Sequence, residues 1–162
     1  MVIRLAKVLT VVLIGLFAVL VGYDNLVDYD SNYEFVRHVL SMDTTFPGNK
    51  LLSRAITDPA LHTAAYWAII AAELLTGILC LVGAALLAAK VRAPARAFNA
   101  AKGTAIAGLT TGFALWFFGF LTVGGEWFAM WQSQTWNGQE AAFRFIVSIG
   151  IVLLFVTIED HD

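Results

Sequence analysis

The run AAYWAIIAAELLTGILCLVGAALLAA, residues 64–89, decides the fold of this protein. It exceeds the roughly 20 residues that a helix needs to cross a bilayer core of about 30 Å, and Glu73 is its only charged residue. Further apolar runs lie at about residues 5–23, 104–123 and 142–158. Because polar and apolar residues do not alternate within these runs, a membrane β-barrel is excluded. The sequence therefore predicts an all-α integral membrane protein built as a four-helix bundle.

Composition and helix-start signals indicate a single membrane domain over residues 1–162. Apolar residues make up 59% of the chain and charged residues 14%, whereas soluble domains carry roughly 25% charged residues. Asp58 and Pro59 form one helix start, and Asn137 with Glu140 has capping spacing at another. We expect helices at about residues 5–23, 59–89, 104–123 and 138–158, a lid at about 24–58 and a cytoplasmic loop at 90–103.

Charge asymmetry between the two ends of the bundle predicts its orientation. The end that holds the N-terminal residues and the loop 90–103 carries six basic residues, an excess that is typical of cytoplasmic segments. The opposite end carries eight carboxylates. We therefore expect an N-in/C-in topology with the lid on the outer side. The six basic residues are Arg4, Lys7, Lys90, Arg92, Arg96 and Lys102.

The lid contains a helical pattern of its own. In YDSNYEFVRHVL, residues 29–40, Ser31 and Glu34 have capping-box spacing, and apolar residues then recur on one helical face. After a proline-glycine turn, a second short helix is expected at about residues 49–56. The lid is thus predicted to carry short amphipathic helices that lie on the membrane or fold over the bundle.

The stretch GGEWFAMWQSQTWNGQEAAFRF, residues 124–145, predicts an unusual outer surface. It holds three of the five tryptophans, and all five fall in the outer half of the predicted bundle. An aromatic belt at the lipid headgroups is one interpretation, although a belt would use both interfaces. The alternative is a surface for a ligand or a partner. Its candidate residues are His38, Asp43, His62, Glu73, Glu126, Trp127, Trp131, Gln132, Trp136, Asn137 and Arg144.

Glu73 is the carboxyl group predicted to lie deepest within a membrane helix, where an unpaired charge is costly. One interpretation is structural: an ion pair with Arg144, or a protonated glutamate that fixes the helix register. The other is functional. Glu73 would then form the polar floor of a cavity open to the outside, with Glu126, Gln132, His38 and His62 around its rim.

Three glycines of the third helix, Gly108, Gly112 and Gly119, indicate close helix packing. The first two form a GxxxG pattern, and the third follows seven residues later on the same predicted face. Packing within the bundle is favoured, and an interface with another subunit is the alternative.

No pattern predicts a cofactor or a catalytic centre. The single cysteine, Cys80, excludes an internal disulfide relay. No histidine pair has zinc-site spacing, and no histidine lies within the apolar runs of the predicted membrane helices, where haem would need one. Phosphate-binding loops, nucleophile elbows and basic nucleic-acid patches are missing. We therefore expect no metal, no cofactor and no nucleic acid, and the sequence favours a protein that is not an enzyme.

A resemblance covers nearly the whole chain. The stretches DYDSNYEFVRHVLSMDTTFPGN, residues 28–49, and GGEWFAMWQSQTWNGQEAAFRF, residues 124–145, resemble an uncharacterised family of bacterial small integral membrane proteins classified as a domain of unknown function. The resemblance implies four transmembrane helices in a bacterial inner membrane and supplies no activity.

Two hypotheses about function remain open at this point. The first is a non-catalytic accessory or scaffold subunit, which docks a membrane-protein partner or a second copy through its periplasmic acidic and tryptophan-rich surface. The second is a protein that binds or transports a lipid, quinone or other solute in an outward-facing polar and aromatic pocket. The sequence favours the first hypothesis.

Overall fold

The computed structural model describes residues 1–162 and contains no β-strand. Four of its helical segments are long and apolar enough to cross a membrane, so the predicted all-α, four-helix fold is confirmed. One of the four begins as an α-helix and continues without a break as a π-helix over Leu115–Trp127. The α-helices are α1 (Val2–Val27), α2 (Tyr29–Ser41), α3 (Pro59–Ala89), α4 (Ala95–Ala100), α5 (Gly103–Ala114) and α6 (Gln139–Thr157).

The outward faces of the membrane helices are apolar, as contact with lipid requires. On α1, leucines recur every three or four residues along one stripe, and each is about half exposed. The opposite stripe of α1 holds buried Val11 and Ala18, which belong to the common core of the bundle. The exposed leucines of α1 are Leu5, Leu9, Leu13, Leu16 and Leu20.

Helix α3 lies between α1 and α5, and small residues set its distance from both neighbours. A Cβ atom placed on Gly77 would lie 2.9 Å from the backbone nitrogen of Val19 in α1. One placed on Gly83 would overlap the backbone of Ala105 in α5. Gly108 of α5 lies against Cys80 in the same way, with a Cβ distance of 2.7 Å to its backbone nitrogen. Such contacts let helix backbones approach closely enough for van der Waals packing without a polar interaction.

The lid differs from its prediction in three places, the first being that α2 begins at Tyr29, ahead of the cap expected at Ser31. Helix α1 continues to Val27, so the first four residues of the lid belong to that helix. The short helix expected at about 49–56 is wrong, because only a 3-10 turn forms there, at Leu52–Arg54. The Asn49 side chain accepts a hydrogen bond from the Leu51 amide (2.9 Å), and this local bond competes with helix formation.

Helix α2 is the amphipathic helix that the lid pattern predicts, and it packs across the ends of α1 and α3. Its buried residues, Val36 and Val39, face the bundle. We call this end of the bundle, with α2 and residues 42–58 and 128–138, the lid end. The opposite end, with the N-terminal residues, α4 and the C-terminal residues, is the tail end.

The tail end is closed by a buried ionic cluster. Asp160 Oδ2 accepts hydrogen bonds from Lys7 Nζ (2.6 Å) and Lys102 Nζ (2.7 Å), and all three side chains are almost fully buried. Asn99 donates to the backbone oxygen of Asp160 (2.9 Å) and accepts from its amide (3.0 Å). The C-terminal residues are therefore tied to α1, α4 and the start of α5.

The ionic cluster shifts the pKa values of its members. Burial alone would raise the pKa of Asp160, but hydrogen bonds from Lys102 and Lys7 outweigh it and leave that pKa below its usual value. Burial lowers the pKa of Lys102, although its hydrogen bond to Asp160 opposes the shift. The lowered pKa of Asp160 means that its stabilising contribution is complete above roughly pH 4, the unfolded value, and is lost as pH falls through the folded value.

We predict that Gly83→Ala destabilises the bundle, whereas Gly119→Ala does not. A methyl group at Gly83 must displace the α5 backbone, which typically costs about 1–3 kcal/mol. At Gly119 the nearest atom to a new Cβ lies 3.7 Å away, an ordinary contact. Thermal unfolding of both variants in the same mild detergent measures the difference, and equal melting temperatures would contradict it.

We also predict that Asp160→Asn destabilises the protein by on the order of 3 kcal/mol at neutral pH, because two buried ammonium groups lose their only carboxylate. Glu159→Gln, an exposed neighbour, is the matched control and should behave as wild type. The gap between wild type and Asp160→Asn should shrink as pH falls below roughly 4, because Asp160 is then protonated first in the unfolded chain and, at its lower folded pKa, in the native protein. Unfolding curves recorded between neutral and acidic pH test this, and a gap independent of pH would contradict the argument.

Candidate functional site

A cavity of about 330 Å³ lies at the lid end, enclosed by α1, α2, α3, α6 and the π-helix. We call it the chamber. Its polar lining consists of two carboxyl and two amide side chains, and no basic residue lines it. Glu73 is deeply buried, whereas Asp24 and Asn32 are exposed and mark the mouth. The remaining polar residue is Asn25, and the aromatic lining residues are Phe35, Tyr66, Trp116, Phe120 and Phe145.

Glu73 is only 2% exposed, and its carboxyl group has one hydrogen-bond donor. Asn25 Nδ2 donates to Glu73 Oε2 at 2.7 Å. Asn25 is itself held in place, because the Tyr66 hydroxyl donates to its backbone oxygen at 3.0 Å. No lysine, arginine or histidine nitrogen lies within 4 Å of the Glu73 carboxyl oxygens. The carboxyl group thus borders the chamber with an amide as its single polar contact.

The ion pair between Glu73 and Arg144, one of the alternatives that the sequence left open, does not form in the structure. Helix α6 presents Ala142 and Phe145 to the chamber. Arg144 follows Ala142 by two residues, and 3.6 residues per turn place it on the opposite side of the helix. It is accordingly exposed and makes no ion pair.

Aromatic rings form much of the chamber wall. Trp116 is 2% exposed and packs edge-on against Phe145, with ring centroids 5.2 Å apart. Phe35 of α2 stacks on Phe120 of the π-helix at 6.3 Å and an angle of 22°. Trp116 therefore lies in the core of the bundle and takes no part in an aromatic belt.

The π-helix at Leu115–Trp127 shapes this end of the bundle. The Phe128 amide donates to the Val123 oxygen at 3.0 Å, a bond to the fifth residue back. Such winding normally occurs as single turns and is frequent at functional sites. In this protein the π-helix places Trp116 and Phe120 in the wall of the chamber. Gly119 does not contact α3, whereas Gly108 and Gly112 do.

A second cavity, of about 270 Å³, adjoins the chamber between α2, α3 and the π-helix. No charged side chain and no side chain with a nitrogen or oxygen atom lines it. Its rim includes Phe118, which is 62% exposed on the outer face of the bundle. We call it the apolar cavity. It shares four lining residues with the chamber, namely Phe35, Val36, Ile69 and Phe120.

Three of the candidate residues meet above α2 and do not line the chamber. His38 Nδ1 lies 2.8 Å from Asp43 Oδ1, and the His38 ring stacks on Trp136 with centroids 4.7 Å apart. Glu34 and Arg37 flank this group, and the hydrogen bond from Arg37 lowers the pKa of Glu34. The arrangement is a polar cap on the surface of α2.

The other candidates are dispersed over the lid end. Gln132 is 8% exposed, and its side-chain oxygen accepts a hydrogen bond from the Phe46 amide (3.1 Å), so it joins two loops. His62 is buried, with Nε2 at 2.7 Å from the Ile56 oxygen. Glu126 and Trp127 lie beside Arg54, whose guanidinium stands 4.6 Å from the centre of the Trp127 ring. Trp131 and Asn137 are exposed.

Of the candidates read from the sequence, only Glu73 lines the chamber. Asp24, Asn25 and Asn32 were missed, because the first helix was expected to end near residue 23 and the sequence left open whether the lid helix folds over the bundle. A signal for Asn25 is present in the sequence, since it continues the buried stripe of α1 through Ala18 and Gly22 at helical spacing. No group of three histidine, cysteine, aspartate or glutamate side chains is arranged to hold a metal ion.

Comparison with known proteins agrees with this architecture. No curated protein and no solved structure matches the chain significantly. The family model described as "Predicted small integral membrane protein (DUF2165)" matches residues 3–159. With four helices long and apolar enough to span a membrane, the chain is a multi-pass integral membrane protein embedded in a lipid bilayer. The match confirms the family resemblance, and the protein belongs to the DUF2165 family of small integral membrane proteins.

Proposed function

We propose that the protein binds a small organic molecule in the chamber, with Glu73 as its polar anchor. The observation that carries this proposal is a carboxyl group 2% exposed, with a single amide donor, on the wall of a cavity of about 330 Å³. Polar groups buried within membrane proteins are costly and are normally satisfied by partners or by function. A cavity of this volume falls at the lower end of the range for small-molecule sites, roughly 300–1,000 Å³.

Asp160 provides an internal comparison for this argument. That carboxylate has two lysine donors and borders no cavity described above, so its environment is closed. Glu73 has one neutral donor and open space beside it. A guest molecule would supply the contacts that the protein itself does not provide.

The orientation of the bundle is part of the proposal. We infer that the tail end faces the cytoplasm of a bacterial inner membrane, because basic residues are concentrated there. Lys90, Arg92 and Arg96 make no ion pair within the chain, so their charge is available to that side. The mouth of the chamber, at Asp24 and Asn32, would then open toward the periplasm.

The test compares wild type, Glu73→Gln and the control Glu126→Gln, purified from native membranes in mild detergent. Mass spectrometry of the small molecules that accompany each protein is the measurement. We expect wild type and Glu126→Gln to carry the same molecule and Glu73→Gln to lose it with little change in melting temperature. Equal small-molecule content in all three proteins would contradict the proposal, and a matching loss of stability in Glu73→Gln would assign Glu73 a structural role.

A second candidate function is that of an accessory or scaffold subunit. It is favoured by exposed aromatic side chains at the lid end, where Trp131 is 48% exposed and meets Phe46, also 48% exposed, edge to face at 5.8 Å. Trp127, the last residue of the π-helix, is 54% exposed. Aromatic residues of this kind are enriched at protein interfaces and among their energetic hot spots.

For this candidate we predict that Trp131→Ser releases a protein partner while the bundle stays folded. Gln132 is left unchanged, since it holds the lid to the segment 128–138. Trp67→Ser, an exposed tryptophan on α3, is the control. Co-purification and the mass of the complex are the measurements, and a doubled mass would identify a second copy as the partner. Retention of the partner by Trp131→Ser, or a wild-type protein without one, would contradict the subunit role.

A further inference from the structure

We infer that the molecule bound in the chamber is an amphipathic organic cation, with its ammonium group beside Glu73 and its hydrocarbon chain in the apolar cavity. This inference rests on the proposed function and names the class of ligand. Three features of the described residues carry it: the sign of the charge around the chamber, the aromatic wall, and the apolar cavity next to it.

Charge complementarity selects a cation. Asp24 at the mouth and Glu73 at depth are the only ionisable side chains in the chamber besides the Tyr66 hydroxyl, and no lysine, arginine or histidine lines it. An anionic headgroup would enter without a positive partner, which is strongly unfavourable in a site of low dielectric. A cation meets one carboxyl group on entry and a second at the end of its path.

Hydrogen bonding and ring geometry support the same choice. Asn25 already uses its amide as a donor to Glu73, so the remaining acceptor capacity of that carboxyl group is left for a guest. Rings from four different elements surround the same space, including Phe35, Tyr66 and Trp116. An ammonium group within about 6 Å of such ring centres gains cation–π attraction, which is larger when the site excludes water.

The apolar cavity accounts for a hydrocarbon chain. It adjoins the chamber at Phe35 and Phe120, which line both spaces and whose ring centroids are 6.3 Å apart. Gly119 borders it without a side chain, and a Cβ at that position would have no neighbour closer than 3.7 Å. Because Phe118 on its rim is exposed on the membrane face, a chain in this cavity is continuous with the lipid phase. A molecule with a charged head and an apolar tail therefore matches both spaces at once.

Titration of the full-length protein in nanodiscs of uncharged net composition tests the inference, with empty nanodiscs subtracted. The probes are tetramethylammonium, octyltrimethylammonium, octanol and octyl sulfate. We expect octyltrimethylammonium to bind most tightly, with an affinity that rises up to roughly fourfold for each buried methylene. Octyl sulfate and octanol should show no binding above the empty nanodiscs.

Two substitutions separate the head site from the tail site. Glu73→Gln should weaken both ammonium probes by about tenfold or more, since it removes the buried charge, while the exposed control Glu126→Gln should leave them unchanged. Gly119→Leu fills the apolar cavity, so it should remove the advantage of octyltrimethylammonium over tetramethylammonium without weakening the latter. If Glu73→Gln fails to fold, Asp24→Asn at the exposed mouth tests the role of charge instead. We expect it to weaken the binding of both ammonium probes a few-fold.

The outcomes distinguish this inference from the function on which it rests. The assignment of a cation would be contradicted if octyl sulfate and octyltrimethylammonium bound equally well. It would also be contradicted if neither Glu73→Gln nor Asp24→Asn weakened the binding of the ammonium probes. If octyltrimethylammonium kept its full advantage over tetramethylammonium in Gly119→Leu, the placement of the hydrocarbon chain in the apolar cavity would be contradicted. If a neutral or anionic molecule accompanies the wild-type protein and is lost with Glu73→Gln, the binding function stands and the cation inference fails. If no molecule accompanies the protein and no probe binds, both fail.

Discussion

The close approach of α3 to α1 and α5 is the contact on which the other features of this protein depend. Lipid chains are as apolar as leucine, so membrane helices gain little from burying apolar surface and rely on van der Waals packing. Gly77 and Gly83 provide that packing by removing side chains where α3 meets its neighbours. The same contact aligns Glu73 with Gly22 and Asn25 near the end of α1, although Glu73 lies near the middle of the longer α3. The position of this buried carboxyl group is thus a consequence of helix packing.

The two ends of the bundle differ in whether their buried carboxyl groups are paired with basic side chains. At the tail end, Asp160 compensates Lys7 and Lys102 directly, and Asn99 satisfies the neighbouring backbone. The result is a closed network that ties the C-terminal residues to three helices. At the lid end, Glu73 has one amide partner and a cavity beside it. Buried charges that are fully paired serve structure most directly, whereas a carboxyl group that lines a cavity is the arrangement expected of a binding site.

The π-helix connects the architecture to the proposed site. Gly119, Gly124 and Gly125 lower the preference of this segment for regular α-helix, because glycine is a poor helix former. The wider winding keeps Trp116 in the core and turns Gly119 to the apolar cavity. Both cavities consequently share this segment as a wall. A regular α-helix would have kept Gly119 in line with Gly108 and Gly112, and the space beside α2 would have been different.

The sequence by itself determined the number of membrane helices, the all-α class, the amphipathic helix of the lid and the family, because long apolar runs and local periodicity act over short distances. It also singled out Glu73, since a carboxyl group in an apolar run is conspicuous. Only the tertiary structure decided that Asn25 and not Arg144 contacts Glu73, because that choice depends on how α1 and α6 are rotated about their axes. The burial of Asp160 and the alignment of the two cavities were likewise decided only by the tertiary structure. They arise from residues far apart in the chain, such as Lys7 and Asp160, which are 153 positions apart and whose proximity no local pattern encodes.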